Sequence, residues 1–482
     1  MLGVANVLGL MLAAFSAMYV LPILAALLFE DGTALHFLGA GVVSGGVGLA
    51  LAAATRRHAR ELKPRDGFLL VTLGWVLMSA SAMIPLLTVL PHMSVTYAFF
   101  ESMSGLTTTG ATVLTGLDSL PPSINLWRAT LHWCGGLGII VLAVAVLPML
   151  GVGGMQLYRA EAPGPVKDEK LTPRITETAK SLWLAYSGIT VVGIIALRIA
   201  GMSWFDAICH CFSAVGLGGF STHDRSIAFF NSPAIELTLA ALMLVASLSF
   251  ARHFVALRRL SLEPYTRDPE AKAILIVLLA SVLGIALLLR YHHIYSNFGI
   301  ALRHALFNVV SIATTSGLVS QDYTSWPAFA PFWMLFLCCI LCSTGSAGGG
   351  VKMFRTLLLS RQAGRELKLL VHPSAVAPVR IAGRPIPDRV LNSVLAFIFL
   401  YFMTMALLTF ALLATGLDFL TSLGAILATV NNTGPGLGQV GPFKTYHALS
   451  ALQIWVCTLA MLLGRLEIFS VLVLFTPAFW RK

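Results

Sequence analysis

Apolar stretches and short mixed ones alternate along this chain. A hydrocarbon core needs about 20 apolar residues per helical crossing. Charge-poor windows of that length fall near 4–27, 37–55, 67–90, 125–150, 182–200, 234–256, 272–290, 329–360, 391–415 and 448–478, which predicts ten crossings. Four further segments are amphipathic but too short to span. Each leads into a small-residue tract closed by glycine: Thr107-Thr108-Thr109-Gly110, Gly216-Leu217-Gly218-Gly219, Thr314-Thr315-Ser316-Gly317 and Asn431-Asn432-Thr433-Gly434. A long apolar run follows every tract. The recurrence, at roughly hundred-residue intervals, is too long for a solenoid and suits quasi-fourfold packing around an axis.

The predicted fold is therefore an all-α integral membrane protein. Four pseudo-symmetric helix–pore loop–helix repeats would surround a central pore, and two extra N-terminal transmembrane helices would precede them. The corresponding divisions are 1–60 for the N-terminal pair, then 61–160, 161–262, 263–370 and 371–482 for the repeats. Helix-start signals head the short segments. Ser203-Trp204-Phe205-Asp206 has the form of a capping box. Asp418 precedes Phe419, Ser296 precedes Asn297-Phe298, and Ser94 precedes Val95. Each short helix would stop at its tract and aim its carbonyl end, with negative partial charge, at the axis. A single such segment would equally suit an interfacial helix; four in register argue for re-entrant loops.

A ring of backbone carbonyls is one way proteins replace the water around a cation. Lining a narrow path with carbonyls takes backbone out of the usual wells, which glycine tolerates at φ > 0. Irregular backbone at membrane depth survives only where protein or water satisfies it. The candidate cation-binding residues are thus Thr108, Thr109 and Gly110; Leu217, Gly218 and Gly219; Thr315, Ser316 and Gly317; and Asn432, Thr433 and Gly434. No acidic ring accompanies them, which argues against a carboxylate filter for divalent ions.

The third repeat carries a second irregularity. Its last apolar window is interrupted by Ser343-Thr344-Gly345-Ser346-Ala347-Gly348-Gly349-Gly350. Glycine costs a helix about 1 kcal/mol per site relative to alanine, so the helix should break near mid-membrane. A phosphate-binding loop would need a lysine after the last glycine and a preceding strand; Val351 follows instead. A loop across the path, acting as a gate, is one reading of 345–350, and a close-packing kink is the other. Arg465, deep in the last window with Glu467 nearby, is either half of a structural ion pair or a charge lining the path below the loops. Glu101, Arg303 and His304, on the short helices, would serve as braces.

Composition sharpens the class. Of 482 residues 57% are hydrophobic and only 11% charged, and the mean hydropathy is +0.83. The net charge of +11 is no nucleic-acid footprint, because the bases gather in interhelical loops: Arg56 to Arg65, Arg159 to Arg174, Arg258 to Arg267, Lys352 to Arg389, and Arg481-Lys482. The positive-inside rule then puts both termini in the cytoplasm. The first window lacks a basic leader and a cleavage pattern, so it reads as a retained helix. The seven cysteines sit mostly in apolar windows and read as buried thiols, Cys339-x-x-Cys342 included.

Thr-Thr-Gly-Ala-Thr at 108–112, Gly-Gly-Phe-Ser-Thr at 218–222, Thr-Thr-Ser-Gly at 314–317 and Asn-Asn-Thr-Gly-Pro-Gly at 431–436 together resemble the TrkH/KtrB family of the Trk/Ktr/HKT superfamily of K⁺ uptake proteins. The length and the N-terminal pair resemble the TrkH branch. Ser316 departs from the threonine expected there but leaves the glycine in place. The resemblance implies K⁺ carried by the carbonyls of the four tracts, with glycine at all four positions associated with K⁺ preference. It also implies that Gly345, Ser346, Ala347, Gly348, Gly349 and Gly350 form a gating loop, with Arg465 below the filter. Further implications are a homodimer in the bacterial inner membrane, surrounded by lipid. A cytosolic TrkA-type RCK subunit would respond to ATP and ADP, docking on Arg355–Arg389 and Arg159–Arg174. A passive conduit is the leading functional class. A K⁺/H⁺ or K⁺/Na⁺ symporter would instead use Glu101, Asp206 or His304. No nucleophile–base or metal-spaced set supports an enzyme.

Overall fold

The computed structural model describes residues 2–58, 64–145 and 175–481. Arg60, Lys63, Arg159, Lys167, Lys170, Arg174 and Lys482, all assigned to basic loops or the end, lie outside the described residues. Helix dominates; the one sheet among the described residues is a two-stranded pair, Arg380–Ile381 with Arg384–Pro385. The N-terminal helices are α1 (Leu2–Phe15), α2 (Val20–Phe29) and α3 (Ala34–Thr55). Repeat one follows as α4 (Pro64–Ala82), α5 (Ile84–Val89), the short α6 (Val95–Leu106) and α7 (Pro122–Ala145). Repeat two is α8 (Ile175–Ile199), the short α9 (Trp204–Gly216), α10 (Pro233–Ser247) and α11 (Phe250–Arg259). Repeat three is α12 (Pro269–Tyr291), the short α13 (Phe298–Ala313), α14 (Phe329–Ile340) and α15 (Met353–Val371). Repeat four is α16 (Asp388–Ala414), the short α17 (Phe419–Val430), α18 (Ala451–Arg465) and α19 (Phe469–Leu472).

Among the described residues six segments are long and apolar enough to cross a membrane: Leu2–Phe29, Ala34–His58, Arg65–Val89, Ser181–Ile199, Pro269–Tyr291 and Asp388–Ala414. Their outer surfaces carry Leu28, Val42, Leu184, Ile276 and Phe399, all exposed, as lipid contact demands. The unbroken crossings expected over 234–256 and 448–478 are instead sharply bent, by 100° between α10 and α11 and by 107° after α18. Each bend trades helical bonds for tertiary ones. At the first, Phe250 N donates to Gly345 O (3.2 Å) and Ser343 N to Ser247 O (3.0 Å). At the second, Glu467 and Ile468 turn through φ of 53° and 52°, and Glu467 meets Arg355 at 2.7 Å.

The four short helices begin where side chains cap them. Ser94 Oγ accepts from Tyr97 N, Ser203 Oγ from Asp206 N, and Asp418 from Thr421 N. In repeat three the cap is Asn297, one residue beyond the expected Ser296, because its carboxamide accepts from Gly299 N at 2.7 Å. The Ser203 box is half formed. The Asp206 carboxylate turns to the hydroxyls of Ser203 and Thr222, each at 2.7 Å.

Two large apolar cores, beside two smaller ones, organise the described residues. One joins repeats two and three, from Leu182 to Met353, and the other joins the N-terminal helices to repeats one and four. In the second, α1 and α3 pack backbone to backbone. A Cβ on Gly48 would lie 2.6 Å from Ala13 N and 2.7 Å from Gly9 O. Small residues of this kind allow close helix approach where lipid offers no hydrophobic drive. Tyr19 then crosses to α4, its hydroxyl donating to Ser81 O (2.8 Å), and stacks on Trp127 at 4.5 Å. Gly48→Leu is expected to force the pair apart and cost roughly 1–3 kcal/mol, read as a lower melting temperature of the detergent-solubilised protein.

Candidate ion-conducting site

Each short helix ends in the same way. The residue two before the tract's final glycine is left-handed: Thr108 (φ 52°), Leu217 (54°), Thr315 (61°) and Asn432 (53°). The next amide reaches back five residues, Thr109 N to Ser104 O, Gly218 N to Ser213 O, Ser316 N to Ser311 O and Thr433 N to Ala428 O, at 2.8–2.9 Å. This is the Schellman termination. It turns the chain sharply off the helix and leaves the helix's carbonyl end facing the tract. The glycines then sit at φ 78° (Gly110), 87° (Gly219), 76° (Gly317) and 89° (Gly434). Left-handed backbone was expected at the glycines. At Thr108, Leu217, Thr315 and Asn432 it was not, and the helix-ending bond supplies the reason.

The tracts close into a ring. A Cβ on Gly110 would strike Gly218 O, one on Gly219 would strike Ser316 O, and one on Gly317 would strike Thr433 O. One on Gly434 would lie 2.6 Å from Thr109 O. Each glycine thus accommodates the carbonyl of the following repeat, and the fourth returns to the first. All twelve residues expected at the ring lie in these four loops, and all of them are buried except Gly110 and Gly219, which are partly exposed. Behind the ring, Asn432 Nδ2 donates to Thr109 Oγ1 (2.9 Å) and to Met461 O (3.1 Å), tying loop four to loop one. Tyr446 donates its hydroxyl to Gly434 O at 2.9 Å.

A second fourfold register escaped the sequence reading. The residue nine before each glycine is Glu101, His210, Asn308 and Ala425. The first three tie the short helix to the chain leaving the tract. Glu101 accepts from Val113 N (3.0 Å) and pairs with Arg128 (2.9 Å). His210 Nε2 meets Ser221 Oγ at 2.8 Å. Asn308 Nδ2 donates to Ser320 Oγ (3.0 Å) and its Oδ1 accepts from Ser320 N (3.2 Å). Glu101 was noted as a brace; His210 and Asn308 become legible only once the glycines fix the register. Arg303 braces as expected, pairing with Glu236 at 2.7 Å. His132 was also missed. Its imidazole fills the space a Cβ would take on Gly218 and accepts from Phe220 N at 3.4 Å.

A cavity of about 270 Å³ opens on one side of the ring, lined by Ala111, Thr112, Phe220, Val319, Pro435 and Lys444 among others. At its edge His223 bridges two repeats, meeting Asp118 at 2.5 Å and Asp206 at 3.5 Å. Burial works against the imidazolium, but the hydrogen bonds and charges of Asp206 and Asp118 outweigh it and raise its pKa. On the opposite side lies the segment 343–350. Gly349 N donates to Thr315 Oγ1 (3.1 Å). The space of a Cβ on Gly348 is taken by Cys342 Sγ, and that on Gly349 by Asn431 O.

Arg465 is buried and reaches this segment. Nη1 donates to Ala347 O and Nη2 to Gly135 O, both at 2.8 Å, so it links repeats three, four and one. The ion-pair alternative does not hold, because Glu467 turns away to Arg355. Two residues of the basic stretch after the segment are likewise not surface groups. Lys352 is buried with its ammonium on Gly348 O. Arg355 is buried beneath Glu467, with its guanidinium 4.1 Å over the Phe397 ring. Lys352 was expected in a basic interhelical loop and Arg355 at the start of a docking run, and the packing of the broken helix claims both instead.

Four re-entrant repeats closing on one axis, with two membrane-length segments ahead of them, define an all-α integral membrane protein built around a central pore. The family model described as TrkH, cation transport protein, matches residues 36–482. The chain is 48% identical over 99% of its length, and 98% of the relative's, to a Trk system potassium uptake protein TrkH of Halomonas elongata. It is 45% identical to the Escherichia coli K12 protein of that name, covering 99% of both chains. The crystal structure of the potassium transporter TrkH from Vibrio parahaemolyticus superposes with a TM-score of 0.92 at 43% identity, covering 100% of this chain and 99% of that one. The chain belongs to the TrkH family of cation transport proteins, which are transporters and not enzymes. Asn308→Ala is expected to strip two buried hydrogen bonds from the third loop and cost about 1–3 kcal/mol, lowering the melting temperature of the purified protein.

Proposed function

We propose that this protein carries K⁺ into the cell across a bacterial inner membrane, through a filter made by the backbone carbonyls of Thr108–Gly110, Leu217–Gly219, Thr315–Gly317 and Asn432–Gly434. The observation that carries the reading is the closed ring. Four glycines at φ > 0 each leave the space of a side chain to the carbonyl of the next repeat, so oxygen dipoles from four loops converge where a cation needs replacement for water. The four short helices point their carbonyl ends at the same place, adding negative potential. The names of the full-length relatives supply the ion. An inside-negative potential contributes about 2.3 kcal/mol per charge per 100 mV, enough to drive accumulation without a coupling ion.

Several finer features belong to this proposal. The segment Gly345–Gly350 gates the path, held by Arg465 beneath the filter. The chain forms a homodimer with both termini in the cytoplasm. A TrkA-type subunit that binds ATP or ADP sets the gate from the cytosolic face; Arg361, Arg380, Arg384 and Arg389 are exposed on the stretch that would meet it. A symporter reading has less to work with, since Glu101 is committed to Arg128 and Asp206 to Ser203 and Thr222.

In planar bilayers the reversal potential of the purified protein should follow the K⁺ gradient at any pH difference. Gly110→Ser should reduce K⁺ over Na⁺ preference at least about tenfold, since a side chain at that φ must displace a carbonyl ligand. A reversal potential that moves with the proton gradient would favour coupling, and an unchanged permeability ratio would count against the filter. Removing Ser346–Gly348 should raise K⁺ flux severalfold in liposomes lacking any regulatory subunit; wild-type flux in that variant would reduce the segment to a packing kink.

A further inference from the structure

The segment 343–350 is held at two ends by different chemistry. Its second half, residues 347–349, rests on Arg465, Thr315 and Lys352. Its first half is held from α12. Glu270, in the first turn of that helix and 1% exposed, accepts through one oxygen, Oε2, from both Ser343 Oγ and Thr344 N, each at 2.9 Å. Its other oxygen lies 3.9 Å from Arg252 Nη2 on α11, and Arg252 also pairs with Asp268, the N-cap of α12. The backbone bonds from Ser343 to Ser247 and from Phe250 to Gly345 run alongside. A buried carboxylate is costly unless paired and hydrogen-bonded. Here both oxygens are engaged, one of them wholly by the Gly-rich segment.

We propose that Glu270 is the positioning residue of this segment: its carboxylate fixes Ser343 and Thr344 beneath the ring, and the α10–α11 bend, through Arg252, fixes the carboxylate. Arg465 alone holds one residue of a glycine-rich stretch whose backbone has many alternatives. With the first half also pinned, the segment has one conformation. Any movement of α11 against α12 would act on the segment through Arg252 and Glu270. The consequence for flux rests on the gating role proposed above; the consequence for the segment's position does not.

Cys342 gives a readout independent of transport. Its thiol is buried, donates to Thr314 O at 3.4 Å, and is covered by Gly348. In full-length protein keeping Cys342 alone, with the other six cysteines replaced by alanine, maleimide labelling in liposomes reports whether the segment has moved. Glu270→Ala should label at least about fivefold faster, as loss of two hydrogen bonds to a charged acceptor predicts. Ser343→Ala, which spares the helix start, should label faster to a smaller degree. Glu270→Gln, which keeps an acceptor for Ser343 and Thr344 but gives up the charge facing Arg252, should fall between the parent and Glu270→Ala. Unchanged labelling in both Glu270→Ala and Ser343→Ala overturns the proposal, as does Glu270→Gln labelling as fast as Glu270→Ala. Rubidium flux measured on the same liposomes separates the two readings. Fast labelling with unaltered flux leaves Glu270 as the pin and removes the gate.

Discussion

Backbone polarity in a medium without water is the constraint on which this structure depends. Every amide and carbonyl that leaves a helix at membrane depth needs a partner inside the protein or in a water-filled path. The four short helices all end there. Each closes with a Schellman bond at 2.8–2.9 Å, turns through a left-handed residue, and delivers a glycine whose missing side chain leaves room for the neighbouring loop's carbonyl. The ring is therefore a joint solution. No single repeat can form it, because each glycine's steric vacancy is filled by another repeat.

The supporting network follows from that geometry. The chain leaving the ring must be tied down, and position nine before the glycine does so in three repeats with three different side chains, Glu101, His210 and Asn308. What recurs is the position of a hydrogen-bonding group. Its chemistry is free to vary with what lies nearby, as the Glu101–Arg128 pair shows. Repeat four has Ala425 at that position and is secured by other bonds within the repeat, from Tyr446 to Gly434 O and from Asn432 to Met461 O.

Much of the fold is legible in the sequence. Windows of lipid-compatible length, the order of helix, tract and helix, and the caps at Ser94, Ser203 and Asp418 follow from local chemistry that the tertiary structure has no reason to override. The Gly-rich break at 343–350 is legible for the same reason, since four glycines in six residues cannot sustain a helix. The failures are also local in origin. Ser296 and Asn297 are both good caps, and neighbouring preference cannot choose between them. The bends after Ser247 and Arg465 occur in runs that read as continuous helix, because the bonds that replace the helical ones come from Gly345 and Arg355, far away in the chain.

The sequence by itself determined the number of repeats, the residues that meet at the axis and the need for glycine there, because each rests on periodicity, length and backbone sterics. Only the tertiary structure decided the partners of the charges. Arg465 bonds two carbonyls instead of Glu467, Arg355 and Lys352 are buried instead of exposed, and Glu270 holds the broken helix. A charge in a low-dielectric interior binds whichever group the packing brings within a few ångströms, and proximity along the chain has no bearing on that choice.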